Sequence, residues 1–216
     1  TNIFGSGLTL SLSGDLSKRS NRYEVALKNP AINDSDYNGE VEAHSTKIEY
    51  RRSHYDSDVK TKGFSLAAGK EVVRNTYVGA RYGLDFIKEV YNYIPNSNVP
   101  INKRFLDQDY TNSSITPYIN YDSTNDFYFP TAGIKAGASV EYAGVGGDSK
   151  YIKPGVNFRY FYSLEDLTEL DWILRFKTQA KMLIDNGQIN QGDSLYLGGP
   201  KTLRGYKSYA FPSNET

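Results

Sequence analysis

Ile134-Lys135-Ala136-Gly137-Ala138-Ser139-Val140-Glu141-Tyr142 decides the fold. Its odd positions are polar, charged or glycine and its even positions apolar, so side chains of period two fall on opposite faces of one extended segment. Lys135 and Glu141 stand in mid-segment on the polar face, where a dry core would not accept them. The other face ends in an aromatic, Tyr142. A strand that is oily on one side and charged on the other belongs to a sheet with one wet surface.

The same alternation recurs along the chain. Toward the N-terminus it sets Leu8, Leu10 and Leu12 against Thr9, Ser11 and Ser13, then Tyr23, Val25 and Leu27 against Arg22, Glu24 and Lys28. A third run, Glu40 to Tyr50, changes parity between Ser45 and Ile48, which predicts a bulge or a switch on the loop side. The fourth sets Phe64, Leu66 and Ala68 against a face of very small residues, Gly63, Ser65, Ala67 and Gly69. The fifth sets Val78, Ala80, Tyr82, Leu84 and Phe86 against Gly79, Arg81, Gly83 and Asp85.

From Glu89 to Ser114 no period is sustained, which predicts a long loop or lid. In the sixth run, Ile115 to Asp122, Pro117 predicts a strand end or an irregular start. Beyond the opening segment, the eighth run sets Ile152, Val156, Phe158, Tyr160 and Tyr162 against Lys153, Asn157 and Arg159. The ninth sets Trp172, Leu174, Phe176, Ala180 and Met182 against Arg175, Lys177, Gln179 and Lys181. Nine strands therefore precede the C-terminal segment. The longer connections, expected after the third, fifth and ninth strands, open on one side of the sheet.

Composition narrows the class. In 216 residues there are 19 Tyr and 10 Phe, an apolar fraction of 38% and a mean hydropathy of −0.58. A disordered chain is poor in aromatics, whereas a barrel with a wet interior and a lipid-facing band combines aromatics with low hydropathy. Lys+Arg and Asp+Glu are both 25, so no net charge points to nucleic acid. Cysteine is absent, which excludes disulfide frameworks and thiolate metal sites. No apolar run is long enough for a membrane helix, and Thr1-Asn2-Ile3-Phe4-Gly5 has neither a Met start nor a signal-peptide pattern, as in a mature or excised fragment. The reading is an all-β antiparallel transmembrane barrel, with a soluble sandwich or lectin-like domain as the alternative that also alternates.

Near the C-terminus stands Gly198-Gly199-Pro200-Lys201-Thr202-Leu203-Arg204-Gly205-Tyr206. Its glycines and proline make a tight loop that presents one arginine. Together with Asn2-Ile3-Phe4-Gly5-Ser6-Gly7, Phe129-Pro130-Thr131-Ala132-Gly133 after Asn120-Tyr121-Asp122, and Glu141-Tyr142-Ala143-Gly144 with Gly146-Gly147-Asp148, it resembles the BamA-type outer-membrane assembly superfamily. In that family an aliphatic-Arg-Gly-aromatic tetrapeptide tips a long loop folded back into the barrel.

The resemblance implies strands three to eleven of a sixteen-stranded barrel, one domain over 1–216 in which 185–216 is the inward-folded loop. Leu203, Arg204, Gly205 and Tyr206 would form its motif, and Gly198, Gly199 and Pro200 its turn. Arg204 would pair with carboxylates on strands beyond this chain. It further implies a bacterial outer-membrane location and a role in inserting nascent outer-membrane proteins, without cofactors. Lipid is an implied partner, as are assembly-complex lipoproteins reached through POTRA domains absent from this chain. A two-partner secretion transporter of the same superfamily and a passive porin are the alternatives.

Arg81, Asp85, Arg175, Lys177 and Lys181, with Lys135, Glu141 and Arg159, are expected to face the lumen. His44 and His54, the only histidines, lie in no nucleophile or zinc pattern, and the Asp34/Asp36 and Asp56/Asp58 pairs lack calcium-loop spacing. No enzyme is expected.

Overall fold

The computed structural model describes residues 7–51, 55–93, 107–165, 170–198, 202–206 and 211–212. One continuous antiparallel sheet holds most of them. In chain order it contains β1 (Thr9–Leu16), β2 (Ser20–Asn29), β3 (Tyr37–Arg51), β4 (Tyr55–Val73), β5 (Thr76–Tyr93), β6 (Gln108–Asp122), β7 (Gly133–Ala143), β8 (Lys150–Ser163), β9 (Ile173–Lys181) and β10 (Ile184–Gln188). Each of β1 to β9 pairs with its sequence neighbour, and β10 also pairs with β8.

β9 and β10 are two parts of one strand. Gly155 is opposite Lys181 and Ile152 opposite Ile184, so the register is the same on both sides of the gap. Met182 N–H donates to Pro154 O at 3.0 Å, which places the N–H that proline lacks on this same edge of β8. The ladder loses a bond there but keeps its register. The sheet thus has the nine strands read from the alternation.

Pro117 does the same in β6, and the expectation of a strand end there is corrected. It sits inside β6, fully in register with Ala80 of β5, while the β6–β7 pairing skips from Ile115/Tyr142 to Tyr118/Ser139. Strands are also longer than the alternation suggests. Glu89 to Tyr93 extend β5, and Gln108 to Ser114 begin β6, so the expected long loop shrinks to a connection whose residues 94–106 lie outside the described ones. Between β3 and β4 the expected long connection is likewise taken up by strand, since Arg51 already pairs with Asp56.

No bulge interrupts β3; its pairing with both neighbours runs without a shift. The parity change has another cause. β3, β4 and β5 are 15, 19 and 18 residues long, against the 9–11 or so that a tilted strand needs to cross a bilayer. Beyond the apolar band the outward positions become Lys47 and Glu49, paired at 3.1 Å, while Ile48 and Val59 move to the inner face. The outward face of this end of the hairpin is polar.

Among the described residues the apolar face has no second layer. Leu12 is 72% exposed, Phe86 55%, Val156 55% and Phe176 55%. A sandwich would cover such side chains with another sheet, so this observation removes the sandwich alternative. Aromatics mark two levels of that face, Tyr37, Tyr121, Tyr160 and Tyr162 toward one end and Tyr23, Phe64, Phe86 and Tyr142 toward the other. A lipid-facing band edged by aromatic girdles has this layout.

Candidate functional site

Chemistry concentrates on the opposite face, where the small residues of β4 have a specific use. His44 of β3, Gly63 of β4 and Asp85 of β5 form one row, as do Glu40, Ala67 and Arg81. Because Gly63 has no side chain, Asp85 reaches across β4 to His44 Nε2 at 3.1 Å, and a Cβ on Gly63 would strike the Asp85 carboxylate. Arg81 reaches over Ala67 to Glu40 at 3.5 Å and Glu42 at 3.4 Å, and donates to Ser65 Oγ at 2.9 Å. Lys28 closes the group on Glu40 at 3.1 Å.

The Arg81 side chain is 41% exposed, so water screens these pairs. Arg81→Gln is expected to lower barrel stability by about 1 kcal/mol or less. The temperature at which the folded band is lost in a heat-modifiability gel measures it.

At the other side of the sheet the inner face is cationic. Lys135, Arg159 and Lys177 stand directly opposite one another across β7, β8 and β9, with Arg175 and Lys181 along the same strand. Only Lys135 is paired among the described residues, with Asp122 at 3.0 Å. The structure therefore sets Arg81, Asp85, Arg175, Lys177 and Lys181 on one face but divides them into an acidic and a basic half.

The C-terminal loop begins on this face. Asp193 is 3% exposed, and three donors converge on its carboxylate: Ser149 Oγ at 2.7 Å, Asn190 N at 3.2 Å and Asn112 Nδ2 at 3.4 Å. Asn112 also donates to the Tyr151 hydroxyl at 2.8 Å, which donates to Glu141 Oε1 at 2.6 Å. Gly192 leaves room for the Tyr110 hydroxyl, where any Cβ would collide. Burial pushes the Asp193 carboxyl above the usual carboxylate range, and the Ser149 hydroxyl pulls against it. This clasp joins the loop base to β6, β8 and the turn between β7 and β8.

Further out, β11 (Tyr196–Leu197) pairs with β12 (Phe211–Pro212) and closes the loop at its neck. Thr202 Oγ1 donates to Gly198 O at 2.9 Å and accepts from Gly198 N at 3.0 Å. Leu203 to Tyr206 make a turn with Gly205 at φ +90°, a left-handed angle that glycine adopts without strain. Leu203 is 40% and Tyr206 54% exposed, Arg204 is exposed, and Arg204 makes no ion pair among the described residues. Gly199, Pro200 and His54 lie outside the described residues.

The motif was visible in the sequence; the clasp was not. His44 was visible only as a histidine, although its alternation with Glu40 and Glu42 places all three on one face.

Residues 2–215 match the Omp85 superfamily domain. The chain belongs to this superfamily. It is similar to the outer membrane protein assembly factor BamA of Nitratidesulfovibrio vulgaris strain Hildenborough, with 28% identity over 214 residues, covering 96% of this chain and 25% of that protein. The chain thus spans about a quarter of that relative's length. Its fold is similar to the crystal structure of BamA from Haemophilus ducreyi lacking POTRA domains 1–3. There the TM-score is 0.79 at 21% identity, over 97% of this chain and 42% of that one. The open nine-strand sheet of this Omp85 chain is accordingly a partial barrel.

Proposed function

We propose that this chain is part of the barrel of an outer-membrane assembly factor that folds and inserts nascent outer-membrane proteins. The observation that carries the reading is the Leu203–Tyr206 loop, whose base is clasped to the charged face of a sheet with a bare apolar opposite face. In this reading the charged face lines the lumen, the apolar face meets outer-membrane lipid, and the nine strands occupy positions three to eleven of the barrel. The loop that follows β10 folds inward, rather than the whole of 185–216, since Asp185 and Gln188 still pair with β8, and Arg204 finds its carboxylate on strands that follow this chain. Accessory lipoproteins are reached through POTRA domains.

The work is non-covalent. Unpaired backbone groups at a strand edge are costly in hydrocarbon, so a weakly closed seam can take up an incoming strand. The loop's contribution is to hold the wall in shape while that seam opens. Arg204→Ala in the full-length protein is expected to slow client assembly on the order of tenfold, the equivalent of one charge-assisted hydrogen bond. The assay follows the folding of a radiolabelled client barrel in proteoliposomes. An unchanged rate with an intact barrel refutes the loop's role.

A further inference from the structure

The connection between β6 and β7 exposes three consecutive rings, Phe127 at 76%, Tyr128 at 80% and Phe129 at 79%. The backbone that carries them is tied down. Asp126 Oδ1 accepts the N–H groups of Phe129 at 2.7 Å and Tyr128 at 2.8 Å, and Asn125 Oδ1 accepts those of Thr131 and Ala132, each at 3.1 Å. A loop this well tied that still displays its aromatics to water is built as a contact surface.

The rings adjoin the cationic row. Lys135 Nζ lies 5.2 Å from the centroid of Phe127, and Lys135 is the first of the three like charges that stand side by side with Arg159 and Lys177. Cations directly opposite one another across a sheet repel, and no carboxylate among the described residues pairs with Arg159 or Lys177. The row and the rings lie at the end of the sheet away from the 189–212 loop, since β6 ends and β7 begins there.

We infer that this mouth of the sheet, Arg159 and Lys177 with the Phe127–Phe129 loop that Lys135 ties to them, binds an acidic polypeptide segment carrying apolar side chains between its carboxylates. The inference rests on the reading that the charged face lines the barrel interior. Charge complementarity selects the carboxylates, and the aromatic trio selects the apolar residues between them. Lipid headgroups fit less well, because the cations occupy the face opposite the apolar band and alternate with outward Ile134, Tyr160 and Phe176. Nucleic acid fits less well too, because the face of Phe127 already carries the Lys135 ammonium rather than lying open for base stacking.

The test uses full-length protein in nanodiscs and a short fluorescein-labelled peptide of alternating Glu and Phe, followed by anisotropy. Saturable binding is expected, weakened by added salt. It is expected to fall about tenfold in Arg159→Gln/Lys177→Gln and again in Tyr128→Ser/Phe129→Ser. The charge-conserving Arg159→Lys/Lys177→Arg pair should bind as the unaltered protein does, and heat-modifiability gels confirm that each variant is folded. The inference is overturned if the neutralised pair binds equally well, or if a peptide of alternating Lys and Phe does. It is equally overturned if phosphate, oligothymidylate or phosphatidylglycerol vesicles displace the Glu/Phe peptide as effectively as unlabelled peptide. Peptide binding is read without client assembly, so the Arg204→Ala result and this one fail independently.

Discussion

Asp193→Ala in the full-length protein is expected to release the 196–212 loop from the sheet. Three donors lose their acceptor at once: the buried Ser149 hydroxyl and Asn190 backbone N–H, and one N–H of the half-buried Asn112. An orphaned buried donor costs about 1–3 kcal/mol, and Asn112 keeps Tyr151 as a second partner, so a total near 3 kcal/mol is reasonable. That corresponds to a roughly hundredfold larger open population of the loop base. Trypsin, which cuts after Lys201 and Arg204, reports it on intact membranes, and hydrogen exchange at the backbone amides of Asn190 and position 193 reports it residue by residue.

Asp193→Asn separates geometry from charge. Its remaining oxygen can still accept from Ser149 and Asn190, but its amide would face the Asn112 amide donor to donor. It should fall between the alanine variant and the unaltered protein. If alanine leaves trypsin protection and exchange unchanged in a barrel that still shows a folded band, the neck formed by Tyr196–Leu197 and Phe211–Pro212 holds the loop alone.

What the sequence disclosed and what it concealed follow from the range of the interactions involved. Period-two alternation is local, so the nine strands, the charged inner face and the bare apolar face could all be read from neighbouring residues. Lys135, Arg159 and Lys177 were each assigned to the inner face this way. Their standing side by side was not, because register is a property of strand pairs. Ile48 and Tyr50 misled in a different way: alternation reports which face is wet, and beyond the apolar band the wet face is the outer one. Pro117 misled because its missing N–H removes a bond from one edge of β6 while the other edge stays paired.

The clasp was hidden for a third reason. Asp193 meets Ser149 across 44 residues and Asn112 across 81, and nothing in the local pattern of Gln191-Gly192-Asp193 distinguishes it from an ordinary polar turn. The small face of β4 is the instructive intermediate. Gly63, Ser65, Ala67 and Gly69 were conspicuous in the sequence as a face with almost no side chains. Their purpose emerges only when β3 and β5 flank them, because small residues in a middle strand let charges on its two neighbours meet.

The same logic gives the second large effect, at Gly79. A Cβ built there would lie 2.5 Å from the Tyr118 hydroxyl and 2.6 Å from the Ala68 carbonyl oxygen, and Tyr118 also comes within 3.2 Å of a Cβ on Gly69. Tyr118 therefore lies flat along the inner face over two glycines in successive strands, covering backbone that has no side chain of its own. Gly79→Val forces the ring away and still presses on a β4 carbonyl that the ladder holds in place. The expected loss is about 3 kcal/mol, at the upper end of what overpacking costs. It should appear as a marked drop in the temperature at which the folded band disappears. Tyr118→Ala in the same chain should restore only part of it, since the Ala68 oxygen remains. The double-mutant cycle would then show a coupling of about 1–2 kcal/mol between positions 79 and 118. Gly14→Ala is the control, because nothing lies within 4 Å of a Cβ there. Strict additivity in the cycle would mean that the collision is with the backbone alone and that Tyr118 merely lies nearby. A coupling of the expected size would show that the ring and the two glycines fit together as one unit of the barrel wall.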